Sequence, residues 1–328
     1  MLSDIRNHYG LNREFSSISQ IAYFETTQLQ QVITELKLAI KDGKLIVLAG
    51  IVGSGKTTVL QKIQDVLEQD KAMLVVNSLA IDVSQVTPAT LVQAIYSELA
   101  TDKDDPMPKA VGQRERALRD LIRKRKKPVV LFIDDAHKMQ SKNLIGLKRL
   151  MEIVRAGKAT LSVVLAGHPK LENDLRRAAM EEIGARATFF ELSSFGQDKK
   201  KYLYWLLDQV TAPKTKPETV LTDAAATLLC EKLTTPLQFE AYLTQAFVEA
   251  FGVGQKPVDA DTIKDILAPD LEGLEARLAR SGYDVKQLTD ILTAKPKEIR
   301  AFLSGHLPPE RTQELHDQLL AAGIPLGS

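Results

Sequence analysis

The sequence predicts an α/β fold, a parallel sheet covered by helices on both faces, followed by an all-helical region. Three observations predict it. Short continuous apolar runs alternate with helical periodicity up to about residue 195, and strands buried on both faces read in this way. From Asp198 onward the apolar residues recur only at helical spacing. Between the first strand and the next helix lies Gly50-Ile51-Val52-Gly53-Ser54-Gly55-Lys56-Thr57, a glycine-rich turn at the position where such sheets bind phosphate.

Taken in order, residues 1–20 are polar and irregular and read as a loose lead-in. Leu29, Val32, Ile33, Leu36, Leu38 and Ile40 predict a helix over 25–40, stopped by Asp42-Gly43. Residues 44–49 form the first apolar strand, and a helix follows over 56–69. Residues 73–76, 128–133, 161–166 and 188–192 supply four more strands, with helices over 88–99 and 112–125 between them. Segments 198–210, 222–233 and 237–251 predict three packed helices, and a linker is expected near 252–258. The remainder is helical and punctuated by Gly282, Pro296, Gly305 and Pro308-Pro309. The expected units are a lead-in (1–24), an α/β nucleotide-binding core (25–195), a helical lid (196–252) and a C-terminal helical module (258–328).

Composition narrows the class. With 328 residues, 44% apolar and 26% charged, the chain has the balance of a water-soluble globular protein. A net charge of +1 leaves nucleic-acid binding to local clusters. Cys230 is the only cysteine, so no internal disulfide forms and a reducing cytoplasm is the expected setting. No run approaches the ~20 apolar residues of a membrane span, and the charged N-terminus lacks a signal-peptide core.

Gly50–Thr57 matches G-x-x-x-x-G-K-[ST]. The glycines let successive backbone N–H groups of Gly50, Val52, Gly53, Ser54, Gly55 and the helix start at Thr58 turn toward a β-phosphate. Lys56 neutralises β/γ oxygens, and the Thr57 hydroxyl ligates Mg²⁺. Val129-Val130-Leu131-Phe132-Ile133-Asp134-Asp135 is the complement: a buried strand ending in acids. Asp134 is expected on the Mg²⁺ side, and Asp135 is expected to orient or deprotonate the attacking water. ATP and Mg²⁺ are the ligands this predicts.

The order of these parts resembles the AAA+ ATPases, and more narrowly the ExeA-like group that includes the transposition regulators IstB, TnsC/TniB and phage Mu B protein. YFETTQLQQVITELKLAIKDGKLIVLAGIVGSGKTT, VVLFIDDAHKM, LAGHPKLENDLRR and TTPLQFEAYLTQAF carry the resemblance, over approximately residues 10–250. It implies a γ-phosphate sensor at His168, a residue that otherwise reads as a helix cap. It implies an arginine finger at Arg186, with Arg176 and Arg177 as rivals and a surface ion pair as the plain alternative for all three. Tyr23 and Phe24 fall where the family packs on adenine, although an aromatic pair before a helix also makes a hydrophobic staple. Two departures imply slow turnover. Asp135 stands where most relatives have Glu, and Pro236 is followed by Leu237 and Gln238, without the second arginine sensor.

Residues 285–292 and 296–303, joined by a three-residue turn, resemble a helix-turn-helix. Lys286, Lys295, Lys297 and Arg300 are its candidate DNA contacts; a protein-docking module is the alternative. Arg114 to Lys127 is a basic stretch that reads as a solvated helix face or a DNA track. Lys138, Lys142 and Lys148 are candidates for a pore-facing set in a ring or filament. The function this implies is a slow ATPase (ATP + H2O to ADP + phosphate). It would assemble as a homo-oligomer on duplex DNA and recruit or stimulate a transposase, with no membrane association. An ExeA-like secretion ATPase and a nucleotide-gated signalling ATPase are the alternatives.

Overall fold

The computed structural model describes residues 2–18, 22–77, 83–193, 195, 198–213, 215–267, 271 and 273–324. Five strands form one parallel sheet: β1 (Leu45–Ala49), β2 (Leu74–Asn77), β3 (Val129–Ile133), β4 (Leu161–Gly167) and β5 (Ala187–Glu191), in the order β2-β3-β4-β1-β5. Successive side chains along a strand point to opposite faces, and both faces are buried here. Leu45, Val47, Val129, Leu131 and Ile133 enter one core; Ile46, Leu48, Val130 and Phe132 enter the other. That two-sided burial is why the strands read as unbroken apolar runs.

Helices α1 (Leu2–Tyr9), α2 (Thr27–Lys41) and α3 (Lys56–Asp70) precede β2. The core against α2 and α3 holds Leu36, Ile40, Ile63 and Leu67. The opposite core is covered by α4 (Pro88–Leu99), α5 (Val111–Arg125), α6 (Ser141–Ala156), α7 (Pro169–Arg176) and α8 (Glu181–Gly184). Thr26 caps α2 by accepting from the Leu29 amide at 3.2 Å. Thr87 and Thr90 form a capping box at α4.

After the sheet come α9 (Lys199–Val210), α10 (Asp223–Lys232), α11 (Pro236–Gly252) and α12 (Ala260–Ile266), which share a third core. This lid corrects the expectation for residues 1–20. Residues 2–18 are not a loose lead-in: α1 places Ile5 and Tyr9 in the lid core, Phe15 and Ile18 follow them, and Tyr9 donates its hydroxyl to the Gln255 carbonyl at 2.6 Å. Among its described side chains two are buried, Ile5 and Tyr9, too few for a periodic signal. The 252–258 segment is likewise stitched down rather than free. Val258 is fully buried and its backbone bonds to Val220 and Thr222 at 2.9 Å.

The last helices, α13 (Leu274–Arg280), α14 (Val285–Ile291), α15 (Pro296–Leu303) and α16 (Pro309–Ala321), close a small fourth core on Leu288, Ile299, Phe302 and Leu315. The sheet and its helices, with this helical C-terminal region, are the α/β fold the sequence predicts. No helix of the described residues is long and apolar enough to cross a membrane.

Candidate functional site

The loop after β1, the acids after β3 and the histidine after β4 all lie at the carboxyl ends of strands, where open α/β sheets bind ligands. The glycines of the loop have separate causes. Gly53 and Gly55 have φ of +78° and +91°, a region costly for other residues. At Gly50 an added Cβ would lie 2.6 Å from Ser54 Oγ and 3.2 Å from the Leu192 carbonyl oxygen. Gly55 leaves the N-terminal end of α3 uncovered, with nothing within 4 Å of the Cβ position.

Lys56 is buried and donates its ammonium to the carbonyls of Gly50 at 2.8 Å and Ile51 at 2.9 Å. Burial lowers its pKa, and the charges of Asp134 and Asp135 work against that shift. Ser54 Oγ is buried without a hydrogen-bond partner. An ammonium held on loop carbonyls and an orphaned hydroxyl at a bare helix N-terminus are what an anionic phosphate chain would satisfy. Thr57 donates its hydroxyl to Asp134 Oδ2 at 2.7 Å. This places a neutral and a charged oxygen ligand side by side, the donor set a hard divalent ion such as Mg²⁺ takes.

Asp135 has a left-handed backbone (φ 52°), and its amide donates to Asp134 Oδ1 at 2.8 Å. The turn separates the two carboxylates. Asp135 instead accepts from the Lys138 ammonium at 2.6 Å. Burial raises its pKa, but the hydrogen bond and charge of Lys138, aided by His137 and His168 in their protonated forms, outweigh burial and hold it below the usual carboxylate range. His137 and His168 stack face to face with centroids 3.8 Å apart and planes 16° from parallel. Both have pKa values lowered to about 4, chiefly by burial, so both rings are neutral at pH 7. His168 is the N-cap residue of α7, yet its side chain makes no capping bond. Its Nδ1 is buried without a partner. Ligand atoms of Asp135, His137 and His168 lie within 4.8 Å of one another, but two stacked rings send their in-plane lone pairs side by side rather than to one point.

A cleft lined by Ser54, Gly55 and Thr58 of the phosphate loop is also lined by residues of the lid. Tyr23 and Phe24 both line it, with Phe195, Tyr202 and Trp205. Phe24 packs on Tyr202 and Trp205 at centroid distances of 5.4 and 5.3 Å, so it joins the lid rather than stapling α2. The Tyr23 hydroxyl is buried without a partner. Glu240 of α11 also lines the cleft; nothing in its sequence neighbourhood marks it.

Arg186 does not approach this site. Ala187 pairs with Leu45 across the sheet, so Arg186 lies at the amino end of the strands and Gly50 follows their carboxyl end, roughly 20 Å away. It makes an exposed ion pair with Glu152 at 2.7 Å. Arg176 pairs with Glu172 at 2.7 Å and lies over the Phe189 ring; Arg177 pairs with Asp174 at 3.4 Å. Among the lysines, Lys148 is a correction. It is enclosed by Glu152 and Glu182, with a side chain only 13% exposed, and offers no free charge to DNA. Lys138 is held by Asp135, whereas Lys142, Lys286, Lys295, Lys297 and Arg300 are exposed.

The structure adds a contact that the sequence does not suggest. The Val52 amide, expected to face phosphate, donates to the Arg280 carbonyl at 3.0 Å, and the Lys170 amide donates to Ser281 at 3.2 Å. Asn173 Nδ2 donates to the Tyr283 hydroxyl and to the Ala322 carbonyl, both at 2.9 Å. Gly282 (φ +93°) passes so close to His168 that an added Cβ would lie 2.9 Å from its ring nitrogen. The C-terminal module is thus clasped to the phosphate loop and to α7.

Comparisons agree with this fold. Residues 39–175 match the AAA domain. No sequence among the curated proteins matches the chain. Cdc6p from Pyrobaculum aerophilum is similar in structure, with a TM-score of 0.53 at 15% identity over 96% of this chain and 91% of that one. The ORC1 protein of Aeropyrum pernix, solved in complex with DNA, gives 0.54 at 14% identity over 96% and 89%. The ORC2 protein of Aeropyrum pernix, solved as ADPNP–ADP complexes, gives 0.54 at 13% identity over 96% and 91%. The chain therefore has the AAA+ fold, with an AAA domain recognised over residues 39–175.

Proposed function

We propose that this chain is a slow, ATP-dependent, DNA-binding AAA+ regulator of transposition, which assembles on duplex DNA and recruits or stimulates a transposase. The observation that carries the ATP part is the cluster of Lys56, Thr57 and Asp134 around an open helix N-terminus, with an orphaned Ser54 hydroxyl. Lys56 exchanges the carbonyls of Gly50 and Ile51 for β- and γ-phosphate oxygens. Thr57 and Asp134 would hold Mg²⁺, which would neutralise phosphate charge. Asp135 accepts the proton of the attacking water, and His168 donates or accepts beside the γ-phosphate as a neutral ring. Leu237, half exposed at the lid, stands where a second arginine sensor would be, consistent with slow turnover.

The DNA part rests on three supports. They are the sequence resemblance to transposition regulators, the exposed Lys142, Lys286, Lys295, Lys297 and Arg300, and the fold shared with an ORC1 protein solved with DNA. Fluorescence anisotropy on a labelled duplex at low salt tests it. Affinity is expected to rise with ATP, fall with ADP, and drop as log salt rises, by roughly 0.9 per phosphate neutralised. Glutamate at both Lys297 and Arg300 weakens binding if the C-terminal module reads DNA, and leaves it intact if the module docks protein. Identical flat curves with ATP, ADP and no nucleotide contradict the transposition reading.

A further inference from the structure

Ser54 and Gly55 of the phosphate loop line one cleft together with an apolar, aromatic end, where Phe24 packs on Tyr202 and Trp205. A nucleotide lying along it puts its base among Phe24, Tyr202 and Trp205. Within that apolar end stands a carboxyl group, Glu240, half-buried on α11. Burying a carboxylate beside rings with no cation is costly, and stability alone favours an apolar residue there.

We propose that Glu240 is the specificity-determining residue of this cleft, reading the edge of an adenine through a paired donor and acceptor on its carboxyl group. The inference rests on the nucleotide-binding reading above. A protonated carboxyl presents one O–H donor beside one carbonyl acceptor. Adenine presents an amino donor beside a ring-nitrogen acceptor on both of its hydrogen-bonding edges, so the acid donates to the ring nitrogen and accepts from the amino group. An ionised carboxylate has two acceptors and no donor. It loses the ring-nitrogen bond of adenine but still accepts from the two adjacent N–H donors of guanine.

Burial pushes the Glu240 pKa up to about 7, so its proton is present below neutrality and lost above it. The other titratable groups lining the cleft are Tyr23, Tyr202 and Glu191. Both tyrosines are raised above their ordinary value, chiefly by burial, and stay neutral. Glu191 is exposed, and among the described residues no lysine, arginine or histidine lines the cleft. No neighbouring cation therefore restores the carboxylate. The orphaned Tyr23 hydroxyl is a second polar group available to the base in the same cleft.

Calorimetry of Mg-ATP and Mg-GTP binding to the full chain at about pH 6 and about pH 8.5 tests this. GTP carries the same triphosphate, so it controls for titration at the phosphate end. For the wild type, the ATP-to-GTP affinity ratio should fall about tenfold between the two pH values, the worth of one hydrogen bond. Glu240→Gln keeps a donor and an acceptor at every pH, and its ratio should stay constant and favour ATP. Glu240→Ala should bind both nucleotides with little preference. A wild-type ratio independent of pH, or a Glu240→Gln ratio that falls as the wild type does, overturns the inference. If both nucleotides bind, are lost in Lys56→Ala, and ignore Glu240, only this inference fails. Failure of both nucleotides to bind the wild type removes the nucleotide reading with it.

Discussion

Arg186→Ala is expected to abolish turnover while leaving fold and nucleotide affinity almost untouched. The reason is geometric. Arg186 flanks Ala187, which is paired with Leu45, while the phosphate loop begins past Ala49. At the rise of a parallel strand the two are roughly 20 Å apart, beyond the reach of an arginine side chain, so Arg186 cannot reach the ATP of its own subunit and would have to act on a neighbour's. Its pair with Glu152 is exposed at 61% and 46%, a kind of contact worth roughly 0–1 kcal/mol. Glu152 also keeps Lys148 at 3.2 Å. Melting temperature should therefore hardly move, whereas loss of an arginine finger costs about 10³–10⁵ in turnover. The assay is phosphate release from Arg186→Ala mixed with Lys56→Ala. Each variant supplies the half the other lacks, and in an equal random mixture about a quarter of interfaces are complete, so about a quarter of the wild-type rate should return. No rescue at any ratio, with assembly intact, refutes the assignment and returns the role to Arg176 or Arg177.

Asp135→Ala should bind ATP as tightly as wild type yet lose about 10²–10⁴ in turnover, the range for general acid–base groups; hydrolysis at the wild-type rate assigns the base elsewhere. Asn173→Ala removes two hydrogen bonds, to Tyr283 and Ala322, and should weaken the clasp of the C-terminal module by about 1–3 kcal/mol. Faster amide exchange at Gly282 and Tyr283 would show it, and unchanged protection there would contradict it.

The sheet and the phosphate loop were legible because their causes are local. Apolar runs define β1, β3 and β4, and the spacing of Gly50, Gly55 and Lys56 sets the turn between β1 and α3. The pairing of Thr57 with Asp134 follows once β1 and β3, on either side of β4, end at the same carboxyl edge of the sheet. Leu144, Leu147, Leu150, Met151 and Val154 carry the spacing of α6, a helix not among the expectations although its signal is plain. Other features are tertiary and leave no local mark. Lys148 is neutralised by Glu182 from α8, far along the chain. The Arg280 carbonyl meets the Val52 amide because the C-terminal module folds back over the loop. The raised pKa of Glu240 comes from burial, which the alternation of α11 does not disclose. His168 read equally as cap or sensor; its uncapped ring stacked on His137 removes the first reading.

Calorimetric titration of Mg-ATP into wild type and Lys56→Ala tests most directly whether Gly50–Thr57 with Asp134 is a nucleotide site. Lys56 now spends its ammonium on two loop carbonyls, and each charge-assisted bond it makes to phosphate instead is worth about 1.5–3 kcal/mol. Wild type should bind, and Lys56→Ala should bind at least about a hundredfold more weakly, since two such bonds are lost. Equal affinity in the two proteins, both folded, would contradict the account.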